Sequence, residues 1–403
     1  MLLPAILGFV YISFGIIYDE GLLRFFVYEA SWLSFAFLFV ATANFSKRSL
    51  VETEKSLPRA DLAVFLILTV VWVYSTTIVA INPFMAYYGS VRGFAAILVG
   101  LAAAALKRLH GERFTTSIIW ALFAGAIFHA PSLIWVYVLE GQNPDFDWAT
   151  RLPAYTNVRP YNHAVEAGLA AGIGLYFLAE HRKAQHQAIL TLGTVLLWIL
   201  LFWGGARGGF LALLAAFILM AVVIPQFFTK MWKFVLSTMY LGASLSLLLP
   251  APNEHFGILN MFKKTIGRET LNQASSNRIE IWLDAVDIFF ERPLFGHGLI
   301  QYRSLTDNLT PSTPNHVHNI LLESLISFGL IGTVAIIYLI GKILIRSAFQ
   351  LRTPQSDADI PMLFVATTLL AHGFISGTYF HMQSMITVAI ALGLLIHTQL
   401  KRP

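Results

Sequence analysis

The sequence predicts an all-α polytopic membrane protein of about twelve transmembrane helices, with a long, partly helical outer loop between the ninth and tenth spans. Three observations carry that reading. Of the 403 residues, 57% are hydrophobic and 12% charged, about half the charged share of a soluble chain, and the mean hydropathy is +0.67. Apolar runs of about 20 residues, the length that crosses a bilayer, recur along the chain. Basic residues gather in alternate loops, as the positive-inside rule requires. The whole of 1–403 therefore reads as one integral membrane domain, with lipid as its main solvent.

In order, the expected spans lie near residues 2–18, 22–44, 62–82, 86–106, 114–139, 162–180, 188–203, 209–225, 234–250, 317–345, 360–376 and 382–399. The seventh, eighth, eleventh and twelfth are short. The first lacks a basic start and is followed by further apolar segments, so it reads as a span rather than a cleaved signal. Sixteen of the 27 basic residues, among them Lys47, Arg59, Lys107, Lys230, Lys233, Lys342 and Arg352, follow even-numbered spans or the last one. That side is then cytoplasmic and both termini lie on it. The net charge of +5 reflects this topology and not a nucleic-acid partner. With no cysteine, disulfides, thiolate metal sites and thiol nucleophiles are excluded.

Most of the polar sequence beyond the spans falls in two outer loops, 140–161 and 251–316. The second exceeds sixty residues, too long for a mere connection, and such segments carry function. Within it Ile279, Trp282, Leu283, Val286, Phe289 and Phe290 recur at helical spacing, with Glu280, Asp284, Asp287 and Glu291 opposite. This predicts an amphipathic helix over about 277–291, capped by Asn277 with Glu280 completing a capping box. Its apolar face would lie on the membrane domain or in the bilayer interface. Lys263, Lys264, Arg292 and Arg303 read as partners of the loop's acidic residues. Arg278 differs: it opens the helix, where backbone N–H groups and a guanidinium both favour a phosphate.

Two further segments stand out. Arg207 sits among four glycines in Trp203-Gly204-Gly205-Ala206-Arg207-Gly208-Gly209, where the backbone can turn sharply and approach a ligand; a tight helix turn with a snorkelling arginine is the plainer alternative. No Gly-Lys-Ser/Thr follows, so it is not a nucleotide loop. In Asn315-His316-Val317-His318-Asn319-Ile320-Leu321-Leu322-Glu323, two histidines and an asparagine enter the tenth span from outside, with Glu323 one turn below Asn319. Polar groups there are costly in lipid and should face a wet cavity. A metal site, with His297 nearby, lacks an evident ligand set. A structural histidine and a general base taking a proton from a sugar hydroxyl both remain open. Arg159, His163 and Glu166 open the sixth span and could line the same cavity; Glu29, Arg92, His129, His372 and His381 read as helix–helix contacts.

Four of these elements resemble the bacterial O-antigen ligase and polymerase superfamily. Arg207 with its glycines looks like the arginine–glycine element, and Ser276-Asn277-Arg278-Ile279-Glu280-Ile281-Trp282 like the second arginine element. Pro293-Leu294-Phe295-Gly296-His297-Gly298 resembles the glycine turn, and His318-Asn319-Ile320-Leu321-Leu322-Glu323, with Gly329 and Gly332, the histidine–asparagine motif. Each is weak alone; together, in order and on one side of the membrane, they carry the resemblance. It implies a bacterial inner-membrane enzyme with its active site facing the periplasm and no metal or other cofactor. The enzyme would move a glycan from undecaprenyl diphosphate to a sugar hydroxyl of lipid A–core, with inversion. Arg207, Arg278 and Arg159 would hold the diphosphate and His318 would activate the acceptor, supported by Asn319, His316, Glu323 and His163. Repeat-unit polymerases and protein oligosaccharyltransferases share the donor and differ in acceptor; the absence of an appended soluble domain favours the ligase. A transporter is the reading from another class, but no inverted repeat is evident and the polar residues gather at the outer face.

Overall fold

The computed structural model describes residues 21–44, 59–141, 143, 145–148, 151–152, 158–179, 184–266, 270–306, 314–352 and 357–400. These form helices and turns, with no strand among them. The first expected span, and seven of the sixteen basic loop residues, lie outside the described residues. The helices are α1 (Gly21–Asn44), α2 (Arg59–Tyr74, continued by a π-helical turn, Ser75–Val79), α3 (Pro83–His110), α4 (Glu112–Ile127), α5 (His129–Glu140), α6 (Val158–Leu178), α7 (Ala184–Trp203) and α8 (Arg207–Val223). After these come α9 (Pro225–Ser246), the loop helices α10 (Ile258–Ile266), α11 (Leu271–Ala274), α12 (Arg278–Glu291) and α13 (Tyr302–Leu305), then α14 (Ile320–Gln350), α15 (Ile360–Gly373) and α16 (Met382–Leu400).

Five stretches are long and apolar enough to cross a membrane: Arg59–Val79, Pro83–His110, Glu112–Glu140, Ala184–Trp203 and Ile320–Gln350. Shorter apolar helices cover Tyr28–Ala43, Arg207–Val223, Ile360–Gly373 and Met382–Ile396. Phe37, Leu66, Ile78, Phe84, Val138, Leu192, Tyr240 and Leu248 are all strongly exposed, an apolar exterior that only lipid satisfies. The centre of the bundle is α6, which packs on α4, α7, α8, α9, α15 and α16. Small residues let its neighbours approach, as membrane helices require; at Gly172 a Cβ would meet the Phe123 ring. Arg159, Asn162, His163 and Glu166 fall at i, i+3, i+4 and i+7 on its first turns, so the most buried helix carries a polar stripe at one end.

Several expected boundaries shift. The fifth span breaks at Phe128 into α4 and α5. The seventh reaches back to Ala184, long enough to span. The ninth begins at Pro225, because proline at a helix start removes no hydrogen bond. Lys230 and Lys233 therefore belong to α9 rather than to a loop, each beside an aromatic ring. Lys107 is not a solvated topology charge either: it is buried, bonded to Asp359 and to the Leu394 carbonyl. The Glu29–Arg92 contact between helices is present, at 2.9 Å. The π turn Ser75–Val79 and the break in α14 at Gly329 (φ 62, ψ −169) had no counterpart in the hydrophobic pattern. The break frees backbone groups that residues 293–298 use: Leu330 N donates to the Pro293 carbonyl, and His297 N to that of Ile326, both at 2.7 Å. A side chain on Gly329 would collide with Leu294.

Candidate active site

Three helix starts meet at one end of the bundle. α8 begins at Arg207 after a turn that needs Gly205 at φ +64, with the His255 carbonyl packed where a side chain would be. The outer loop clamps this turn, since Gly257 N donates to the Trp203 carbonyl at 2.7 Å and Trp203 Nε1 to that of Pro250 at 3.1 Å. α12 begins at Arg278 after two left-handed residues, Ser276 and Asn277. Arg207 Nη2 donates to Ser276 Oγ at 2.9 Å, joining the two starts across 69 residues of sequence. Arg159, in the first turn of α6, is near enough for its charge to act on both Arg278 and His318. Burial first, then the Arg159 and Arg207 charges, push the Arg278 pKa down to about 10. Cations that oppose one another at helix N-termini form a site for an anion carrying more than one charge.

The helix of Arg278 departs from expectation in two respects. Asn277 is itself left-handed and its side chain makes no cap bond. Asn272 caps instead, its Oδ1 accepting from Glu280 N and its Nδ2 donating to Glu280 Oε2, both at 3.2 Å. Nor does the apolar stripe form one face. Ala285 and Ile288 are buried with Tyr302, Val317 and Ile326, with Ile281 packed against them, whereas Leu283 and Phe290 stay exposed. Among the loop's basic residues, Arg292 reaches the Val79 carbonyl at 3.5 Å rather than a carboxylate.

His316 and His318 precede α14 instead of entering it, because Asn319 is its N-cap, accepting from Leu321 N and Leu322 N at 2.9 and 3.1 Å. Asn319 Nδ2 also donates to the Phe374 carbonyl at 3.0 Å. His318 is held at φ +57, a conformation that costs a non-glycine residue about 1–3 kcal/mol and persists only where its surroundings enforce it. The enforcement is visible at Val317, whose N–H donates to Glu323 Oε2 and whose carbonyl accepts from Trp282 Nε1, both at 3.0 Å. Glu323 and Trp282 thus position His318. His318 Nδ1 is buried with no hydrogen-bond partner. Burial, then the charges of Arg159 and Arg278, push its pKa down to about 2, so the imidazole is neutral. Burial also lowers His316 well below the ordinary range.

His316 packs against His318. The two rings lie 4.1 Å apart, and Phe380 stacks on His316 at 4.2 Å. Phe380 is itself braced, its carbonyl bonded by Arg92. His163 lies deeper, its Nδ1 2.9 Å from Ser384 Oγ and its ring 4.8 Å from His372 and 5.5 Å from His381. His372 Nδ1 is 2.7 Å from Glu166 Oε2 across α15 and α6, a helix–helix contact of the expected kind. His297 stands apart, its Nε2 donating to the Ile288 carbonyl at 2.9 Å. Among the described residues no group of three or more His, Asp or Glu is arranged to hold a metal ion.

The structure therefore places Arg159, Arg207, Arg278 and His318 around one region, with His316, Asn319 and Glu323 next to it and His163 one layer below. Sequence reading undervalued residues 374–381, which supply the Phe374 carbonyl, Phe380 and His381. The available signal was a short polar run between two apolar spans on the outer side. Residues 192–337 match the family described as O-antigen ligase. No curated protein matches the chain significantly.

Proposed function

Through residues 192–337 this chain belongs to the O-antigen ligase superfamily, and on that premise we propose that it transfers a glycan from undecaprenyl diphosphate to a sugar hydroxyl of lipid A–core. The observation that carries the reading is the meeting of arginine-bearing helix starts with a neutral, strained histidine. Arg207 and Arg278, with Arg159, bind the diphosphate. As the anomeric C–O bond breaks, its electron pair moves onto the diphosphate, and the guanidinium groups and helix N-termini stabilise that growing charge without a metal. His318, unprotonated, takes the proton of the acceptor hydroxyl as its oxygen attacks from the opposite face, inverting the anomeric centre. Burial is the main cause of the low His318 pKa, and the arginine charges add to it; a bound diphosphate offsets that second part, so the base strengthens when the donor is in place.

The same reading puts the protein in a bacterial inner membrane with this site facing the periplasm and both termini in the cytoplasm, supported by the basic loops that follow even-numbered spans. The test is reconstitution with purified undecaprenyl-diphosphate glycan, offering lipid A–core and a pilin-type protein separately, with and without chelator. The expected product is glycosylated lipid A–core in both conditions. Transfer only to protein, or only onto another repeat unit, would move the chain to a sister branch of the superfamily. Loss of transfer in chelator, restored by one divalent ion, would overturn the metal-free mechanism.

A further inference from the structure

The His318 ring is directed by packing that leads back to a buried ion pair between α1 and α3. A histidine is commonly oriented by a hydrogen bond at one ring nitrogen, often Nδ1. His318 Nδ1 is buried with no such partner, so the groups in contact with the ring set its direction. His316 touches it, ring centre to ring centre at 4.1 Å and 65°. Both nitrogens of His316 are likewise buried without partners, and that ring serves as a plate. It is held by the Phe380 ring, stacked on it at 4.2 Å and 13°, and by Gly377, where a Cβ would collide with its Nε2.

Arg92 on α3 holds Phe380 at two points. Its Nη2 donates to the Phe380 carbonyl, and its guanidinium lies over the Phe380 ring, 5.3 Å from the centre. Tyr88, one turn earlier on α3, has the same guanidinium over its ring at 5.1 Å. Glu29 on α1 pairs with it, Arg92 Nε to Glu29 Oε2 at 2.9 Å and Nη2 to Oε1 at 3.3 Å. The side chains of Arg92 and Glu29 are 2% and 4% exposed. Desolvation offsets most of what two buried charges gain from each other, so such a pair adds little stability over apolar packing of the same size. What it supplies here is direction: a planar guanidinium fixed by a carboxylate, a carbonyl and two rings has one orientation, and the ring it holds has one as well.

Resting on the reading above, we propose that Arg92, locked by Glu29, is a positioning residue for transfer: through Phe380 and His316 it sets the direction of the His318 imidazole toward the acceptor hydroxyl. The need follows from the chemistry. A base must lie within about 2.6–3.2 Å of the atom whose proton it takes, and a misplacement of about 1 Å from a distant change can cost about a hundredfold. His318 has no carboxylate on Nδ1 to fix it, so a rigid stack stands where that hydrogen bond would be. Arg92 and Glu29 act on no substrate atom themselves. The diphosphate arginines belong to other elements, α6, α8 and α12, so loosening the stack leaves donor binding intact.

The experiment has two readouts on the reconstituted full chain: transfer kinetics with whichever acceptor is glycosylated, and peptide-mapped labelling of histidines with diethyl pyrocarbonate, which needs no activity. Arg92→Lys keeps the charge beside Glu29 but loses the fork that grips carboxylate and carbonyl together. It should lower kcat by about ten- to a hundredfold, leave the KM for donor unchanged and raise the labelling of His318 several-fold. His297, buried and bonded to the Ile288 carbonyl, is the internal control and should label as in the wild type. Phe380→Leu leaves the ion pair in place and removes the stacked ring. It should do the same, and it carries the test if Arg92→Lys does not fold. Wild-type kcat and His318 labelling in both variants, or a rise in donor KM with kcat retained, would overturn the positioning role while leaving the transferase reading intact. So would His297 labelling that rises in step with His318, the mark of general loosening. Absence of transfer by the wild type to any acceptor would overturn the transferase reading and, even with His318 labelling raised in both variants, reduce the stack to a structural contact.

Discussion

At the scale of single residues, the proposed chemistry turns on His318. A general base contributes about a hundredfold to ten-thousandfold, so His318→Ala should abolish transfer with donor binding intact. His318→Gln, which retains hydrogen bonding but not basicity, should be nearly as inactive; near-normal transfer by the glutamine variant would reduce His318 to positioning the acceptor. His316→Ala should also be severe, because that ring packs directly on His318. The same histidines set an acid limit on stability. His316 and His318 are held neutral below the ordinary imidazole value, first by burial. The unfolded chain takes up protons as pH falls through about 6.5 and the folded chain does not. Their contribution is thus complete above that pH and is lost below it. The melting temperature in detergent should fall between about pH 6.5 and 4, and the double variant His316→Gln/His318→Gln should fall less.

At the scale of elements, helix starts and breaks carry the design. Arg278 is depressed partly by its arginine neighbours, so without a bound anion the cluster is self-repelling. Arg278→Gln should therefore melt higher than wild type in low salt, while inorganic pyrophosphate stabilises the wild type and not the variant. Activity should show the reverse order: Arg278→Lys and Arg207→Lys keep the charge but lose the planar fork that grips two phosphate oxygens, and should lose most transfer, with Arg→Ala losing nearly all. Full transfer by both lysine variants would leave these arginines as topology charges. Gly329 belongs to the same scale. Its backbone conformation is nearly exclusive to glycine, and a side chain would meet Leu294. Gly329→Ala should cost about 1–3 kcal/mol or more and release residues 293–298 from α14, read as a lower melting temperature with faster proteolysis of the outer loop.

At the scale of the whole molecule, long-range pairs tie early helices to late ones. Lys107 on α3 meets Asp359 and the Leu394 carbonyl of the last two helices, with both side chains almost fully buried. Removing one partner strands a buried charge, so Lys107→Ala should destabilise by about 3–5 kcal/mol, and the Lys107→Ala/Asp359→Ala double variant should recover part of that loss in chemical denaturation. The composition of 57% hydrophobic residues was enough to determine an all-helical membrane protein, because a chain with so few charges cannot cover itself in water. The segments bearing Arg207, Arg278 and His318 were legible too: glycine clusters, a helix start and polar groups at a span boundary are local features. Side-chain direction was not local. Asn277 lost its capping role when its own backbone turned left-handed, and His316 turned toward His318 because α14 begins only at Ile320. The ring contacts from His318 through to His372 draw on α6, α15, the turn before α14 and residues 374–381. Which of their faces meet is set by how closely glycines let helices approach, so only the tertiary structure could bring five histidines from across 219 residues into one line.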